Sequence, residues 1–229
     1  MNIEKSIHSF ELALDRGKEV KQEKQTGAIW QNLQWTRYLA GMQPEKNSPS
    51  VKDLWQSLYL KAIQADESHR LPLLLEAEKE LSRLPYGWLE RSALALIERL
   101  YEDIVSHFFR QEKFAPALMF SEKGKKLVQM ALAPPLHFSD EDQQAYFDEI
   151  ISYSRSLKST PDKEVPALLD EYQEFLELAG EDDPNLISWI SPEAPSLGVL
   201  QSLLKPQQLF LKFQRIQNEI MVWWVRSDS

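Results

Sequence analysis

The chain reads as a mainly α protein, built of antiparallel helical hairpins and closed by a C-terminal β-hairpin. Three observations predict this. Seven glycines in 229 residues are too few for glycine-rich phosphate loops or many tight β-turns. Apolar residues recur at helical spacing in successive windows separated by breakers. After residue 208 the pattern changes to two short strand-like runs, Leu209 to Phe213 and Ile220 to Val225, with a polar bend at Gln214 to Glu219 between them.

Taken in order, weaker helical patterns cover 3–22 and 26–42, and the polar linker 43–49 follows. Residues 51–65 place Val51, Leu54, Trp55, Leu58, Ala62 and Ala65 on one stripe, and another helical window spans 70–84. Pro85 and Gly87 break the chain before the stripe Ala93, Leu96, Ile97, Leu100, Ile104 and Phe108. A window at 113–132 comes next, and Ser139 followed by Asp140, Glu141 and Asp142 predicts a capped helix start. Val165, Leu168, Leu169, Tyr172, Phe175, Leu176 and Ala179 form the clearest stripe, which Gly180 and Pro184 are expected to end. Pro192 and Pro195, among serines, mark a boundary. The expected organisation is a helical domain over 1–190, a connector helix over 191–206 and a β-hairpin over 207–229.

The second strand-like run is apolar on both alternating faces, with Ile220, Val222 and Trp224 on one and Met221, Trp223 and Val225 on the other. An isolated hairpin is marginal in water, so these residues need either the helices before them or further strands that this chain does not contain. Adjacent Trp223 and Trp224 point to opposite sides of a strand and cannot both bury against one helix layer. With Phe210 and Phe213 they are the interface candidates. Trp30, Trp35, Trp55 and Trp88 sit in or beside helical windows, where core packing is the default.

Composition narrows function. A net charge of −9 does not suit a nucleic-acid binder, which must neutralise phosphates. Ten acids against Lys163 alone between Asp162 and Glu193 read as a solvated acidic surface. With no cysteine, the chain has no disulfide, thiolate ligand or thiol nucleophile. No apolar signal-peptide core or membrane-length run occurs, and a cytoplasmic location is expected. His8, His69, His107 and His137 show no metal-ligand spacing, and His137 beside Asp140 and Asp142 is better explained by a helix cap. His107 reads as a packed histidine and the Lys123 to Lys126 cluster as a solvated helix face. No metal or cofactor is expected.

Tyr101, Ile104 and Phe108, a polar turn at 110–113, then Phe114, Ala117, Leu118 and Gly124 alternate bulky and small residues as two closely crossing helices require. This pattern resembles a tetratricopeptide repeat, departing from it at Val105, Ser121 and Gln129; a poorer echo runs from Trp55 to Pro85. The resemblance implies an α-solenoid.

The run 183–206 contains Pro195-Ser-Leu197, Leu200-Gln201, Leu203-Leu204 and Pro206, and two strands follow, ending in Val225 to Asp228. It resembles the entry into a CHAT domain, the caspase-like cysteine peptidase module that commonly follows tetratricopeptide repeats. That family's His and Cys dyad lies downstream of the opening hairpin, and nothing here corresponds to it. The resemblance implies that this chain is the non-catalytic, scaffolding or regulatory helical part of such a peptidase, not an enzyme by itself. Its expected partner is a peptidase domain or a regulatory protein. The alternative is a free-standing adaptor that binds a peptide or protein, with the hairpin folded back as a cap.

Overall fold

The computed structural model describes residues 3–19, 29–30, 32–37, 40–42, 54–88, 93–132, 136–161, 163–216 and 219–227. The linker at 43–49, Val51, the window ends at 20–22 and 26–28, and Asp228 lie outside these residues. The architecture is mainly helical with a C-terminal antiparallel β-hairpin, as the pattern predicts. Two compact units divide at Glu80 and Leu81.

In the first unit, α1 spans Ile3–Glu19, α2 Leu54–Gln64 and α3 Glu67–Ser82, whose last turn enters the second unit. Helical backbone also occurs at 29–30 and 32–37. Trp30, Leu33, Trp35, Trp55, Leu58, Tyr59 and Leu74 are buried, and Trp35 stacks on Tyr59 with ring centroids 4.9 Å apart. These tryptophans therefore do pack as core. Arg37 pairs with Glu11 at 2.8 Å. Helix α3 starts earlier than its apolar periodicity suggests, because Asp66 Oδ1 accepts the His69 backbone N–H at 3.1 Å and caps it.

The second unit begins with a helical hairpin, α4 over Leu94–Arg110 and α5 over Phe114–Leu132. Its turn is sharp: Glu112 has φ 58, and the Lys113 N–H returns to the Phe108 carbonyl at 3.0 Å. Helix α4 buries Leu96, Ile97, Leu100, Tyr101, Ile104, Val105, His107 and Phe108. Against it α5 buries Ala117, Leu118, Ser121, Gly124 and Leu127. The crossing is closest at Gly124, where a Cβ would lie 2.6 Å from Tyr101 Cγ and 2.7 Å from its Cβ. Phe120 stacks on Phe108 with centroids 5.5 Å apart.

Helix α6 (Glu141–Ser159), α7 (Val165–Asp182) and α8 (Pro184–Ile190) enclose a second cluster of Tyr86, Phe147, Ile150, Tyr172, Leu186 and Ile190. Asp140, not Ser139, caps α6, its Oδ1 accepting from the Asp142 and Gln143 N–H groups at 3.0 Å. Gly180 does not end α7, which runs two residues further to Asp182. The helix is interrupted instead at Asp183, which caps α8 through the Leu186 N–H, with Pro184 in the first turn where its missing donor costs nothing. A Cβ at Gly180 would sit 3.4 Å from Ile187, an ordinary van der Waals contact with α8.

Ser196 caps a short α9 over Leu197–Ser202, within the expected connector. Strands β1 (Leu209–Ile216) and β2 (Glu219–Arg226) then pair antiparallel, from Leu209 opposite Arg226 to Ile216 opposite Glu219. The strands are longer than the apolar runs alone indicate. Backbone pairing extends through Gln214, Arg215 and Glu219, whose side chains carry no hydrophobic signal.

Gly124→Ala ordinarily stabilises a helix interior by about 1 kcal/mol. Here the new methyl meets the rigid base of Tyr101, and we expect a net loss of about 1–3 kcal/mol in urea unfolding. In a double-mutant cycle the loss should be smaller on a Tyr101→Ala background, which lacks Cγ, the nearest atom.

Candidate functional site

The hairpin has two chemically distinct faces. The inner one carries Phe210, Lys212, Gln214 and Ile216 from β1 with Met221, Trp223 and Val225 from β2, and of these Ile216, Met221, Trp223 and Val225 are buried. The outer face carries Leu209, Leu211, Phe213 and Arg215 with Ile220, Val222, Trp224 and Arg226, all exposed. On that face Leu211 lies opposite Trp224 and Phe213 opposite Val222. Phe213, Ile220 and Trp224 are 66%, 70% and 67% exposed.

Of the four interface candidates, then, Phe213 and Trp224 share the open face, while Phe210 and Trp223 turn towards the helices. The assignment is not the one a simple amphipathic reading of β1 would make. Three of its five apolar residues, Leu209, Leu211 and Phe213, face outward and two, Phe210 and Ile216, face in, where Lys212 and Gln214 also point.

What holds the hairpin is a set of polar and aromatic contacts with the α4–α5 pair. The Trp223 ring meets Phe109 edge-on at 6.2 Å. The Lys212 ammonium pairs with the Glu122 carboxylate and lies 5.8 Å from the Trp223 centroid, a favourable cation–π distance. The Ser121 hydroxyl donates to the Gln214 side-chain carbonyl. Ser121 stands where the repeat pattern prefers an aromatic, and a small hydroxyl there leaves the strand access to α5. Burial pushes the Lys212 ammonium below its ordinary pKa of 10.5, against the opposing pull of Glu122.

The connector is fastened to the same helix. Lys126 Nζ donates to the Ser188 carbonyl at 2.7 Å and the Glu193 carbonyl at 3.1 Å, and Lys123 pairs with the Glu193 side chain at 3.0 Å. The Lys123 to Lys126 cluster is thus not simply a solvated face. Two of its ammonium groups grip the segment that leads to the hairpin, and burial lowers the Lys126 pKa against the attraction of Glu193.

Other constellations resolve into structural roles. An acidic groove of about 510 Å³ lies between α6 and α7. Its acids serve helix ends and neighbours: Asp140 caps α6, Asp183 caps α8 and accepts from Gln143 at 2.5 Å, and Asp182 accepts the Tyr146 hydroxyl at 2.6 Å. The bond to Asp182 raises the Tyr146 pKa, and the Leu186 N–H, with help from Gln143, lowers that of Asp183. Asp66, Ser68 and His69 hold the residue types of a hydrolase triad. Both Ser68 Oγ and Asp66 Oδ1 sit on the same ring nitrogen, His69 Nδ1, at 3.1 and 2.7 Å, so no relay through the imidazole exists. Bonds from Ser68 and His69 hold the Asp66 carboxyl down to about 2. His107 is buried beside Gln111, its Nε2 2.8 Å from the amide nitrogen, as a packed histidine. Among the described residues no three His, Asp or Glu side chains group as metal ligands, and no helix is long and apolar enough to cross a membrane. Comparison with protein-family models, curated proteins and solved structures returned no match to this chain.

The Lys212–Glu122 pair yields a test. Glu122→Ala leaves the Lys212 side chain, 10% exposed, without its counter-ion. The expected cost is about 1–2 kcal/mol, whereas the double variant Glu122→Gln with Lys212→Met should be close to wild type. The pH dependence follows from the lowered pKa. Between the folded value and 10.5 the unfolded chain binds the extra proton, so wild-type stability rises with pH relative to Lys212→Met across that window. Thermal melts from pH 8 to 10.5 measure the difference.

Proposed function

We propose that this chain is the non-catalytic helical scaffold of a CHAT-type, caspase-like cysteine peptidase, and that its C-terminal hairpin supplies the first two strands of the peptidase sheet. The observation that carries the reading is the hairpin itself. One face is anchored on α5 and the connector is clamped beside it, while the other face exposes six large apolar side chains, Leu209, Leu211, Phe213, Ile220, Val222 and Trp224. Within the described sheet each strand has one paired neighbour and one open edge. A protein that leaves such a face uncovered invites aggregation, so a covering layer and adjoining strands are the economical explanation.

The close crossing at Tyr101 and Gly124 supports a tetratricopeptide-like hairpin as the supporting element, since the small residue falls where the repeat pattern puts one. The scaffold would present the sheet and transmit the state of the helices through the connector at 191–206. The cysteine nucleophile and its histidine would come from the peptidase part, as this chain has no cysteine. The other reading, a free-standing adaptor capped by its hairpin, accounts for Trp223 at 5% exposure but not for Trp224 at 67%.

The test is isolation from the native source with intact-mass analysis and labelling by a thiol-directed peptidyl electrophile. We expect a labelled cysteine in a longer form of this chain or in a stable companion, and loss of that association or labelling with Leu211→Glu and Trp224→Glu. Recovery of this chain without any thiol peptidase would sink the proposal.

A further inference from the structure

The connector between α8 and the hairpin has no core of its own. From Ser191 to Gln208 no residue is buried. Helix α9 within it spans only Leu197–Ser202, and a Cβ at Gly198 would meet nothing within 4 Å. So short a helix is marginal without packing, and a glycine inside it weakens it further. The backbone hydrogen bonds of the segment are local: Leu200 donates to Ser196, Leu203 to Val199, Leu204 to Gln201 and Gln208 to Lys205. They fold the connector upon itself and do not tie it to its neighbours. Gln207 adds strain. In the turn closed by the Gln208 N–H and the Lys205 carbonyl it follows Pro206 with φ 72, the left-handed position where glycine is favoured.

The fastening lies at the start of the segment. Lys126 Nζ bridges the Ser188 carbonyl of α8 and the Glu193 carbonyl, so one ammonium spans the step at Ser191 and Pro192. Two charge-assisted bonds from this partly buried group outweigh the Lys123–Glu193 pair, whose carboxylate is 73% exposed. The flanks are firmer than the connector: Ile190 is buried before it, and Ile216, Met221, Trp223 and Val225 seat the hairpin after it. A segment with few buried contacts between two firm anchors is the kind that opens locally. We propose that residues 191–208 are a releasable strap, in which α9 unwinds and leaves α5 while the helices and the hairpin stay folded, with Lys126 as the latch. Closed, the strap lays α9 against α5 and β2 and ties the leading end of β1 to the helices. Open, it leaves the hairpin held by its inner face alone. The inference goes beyond the peptidase reading and stands without it, since it concerns the movement of the connector whatever the hairpin meets.

The test is hydrogen exchange of the full chain, followed amide by amide by NMR without and with low urea. We expect the Leu200, Leu203 and Leu204 amides to exchange about a hundredfold faster than those of Leu100 and Ile104 in α4, with little dependence on urea, because local opening exposes little surface. Lys126→Met should speed the strap amides about tenfold, as the loss of two charge-assisted bonds allows. Gly198→Ala, independent of the latch and free of any clash, should slow them about fivefold. Ile97→Val, a cavity in the α4 core, should speed the α4 amides about fivefold and leave the strap amides unmoved, because the open strap keeps α4 folded. Strap amides that exchange at the α4 rate, or that Ile97→Val accelerates along with α4, would overturn the inference, since the connector would then open only with the whole unit. So would strap amides that Lys126→Met leaves as they are in the wild type, or that Gly198→Ala fails to slow.

Discussion

The close crossing of α4 and α5 is the constraint on which the rest of the second unit depends. Gly124 lets the Tyr101 ring lie directly against the α5 backbone, and this approach fixes how α5 presents its remaining faces. From that one helix Ser121 and Glu122 receive β1, while Lys123 and Lys126 hold the connector. A helix that stood further from α4 would shift all four groups together. The hairpin and its leader are thereby coupled to a single packing event.

The hairpin is attached in an uncommon way. Buried apolar side chains, Ile216, Met221, Trp223 and Val225, share the inner face with Lys212 and Gln214, and the buried ammonium is offset by a carboxylate and an aromatic ring. Such pairs contribute little net stability compared with apolar packing, but they penalise misplacement heavily because a shifted strand strands a charge. Register is protected in the same way: a slip by one residue would exchange Lys212 for an apolar neighbour and leave Glu122 facing it.

Polar groups at helix ends recur as the means by which this chain turns corners. Asp66, Asp140, Asp183 and Ser196 each accept a backbone N–H at the start of a helix. Three of them are acids, so part of the negative charge is spent on helix starts. The acidic groove between α6 and α7 follows from this arrangement, with two of its carboxylates committed to caps and a third to Tyr146.

Local pattern was sufficient for the long described helices and for the hairpin, though not for the short α8, because 3.6 and 2.0 residue periods and breakers are properties of the chain itself. It located the Tyr101 to Gly124 crossing through the bulky and small residues that a close approach needs. It could not decide between Ser139 and Asp140 as cap, nor see that Gly180 would be passed by α7, since several residues there satisfy the same local rules. Nor could it say which tryptophan faces the helices. With β2 apolar on both sides, alternation does not distinguish inside from outside, and in β1 it favours the face that is left exposed. That choice was made by partners distant in sequence, Glu122, Ser121 and Phe109, because only the tertiary structure places an anion, a hydroxyl and an aromatic edge where Lys212, Gln214 and Trp223 arrive.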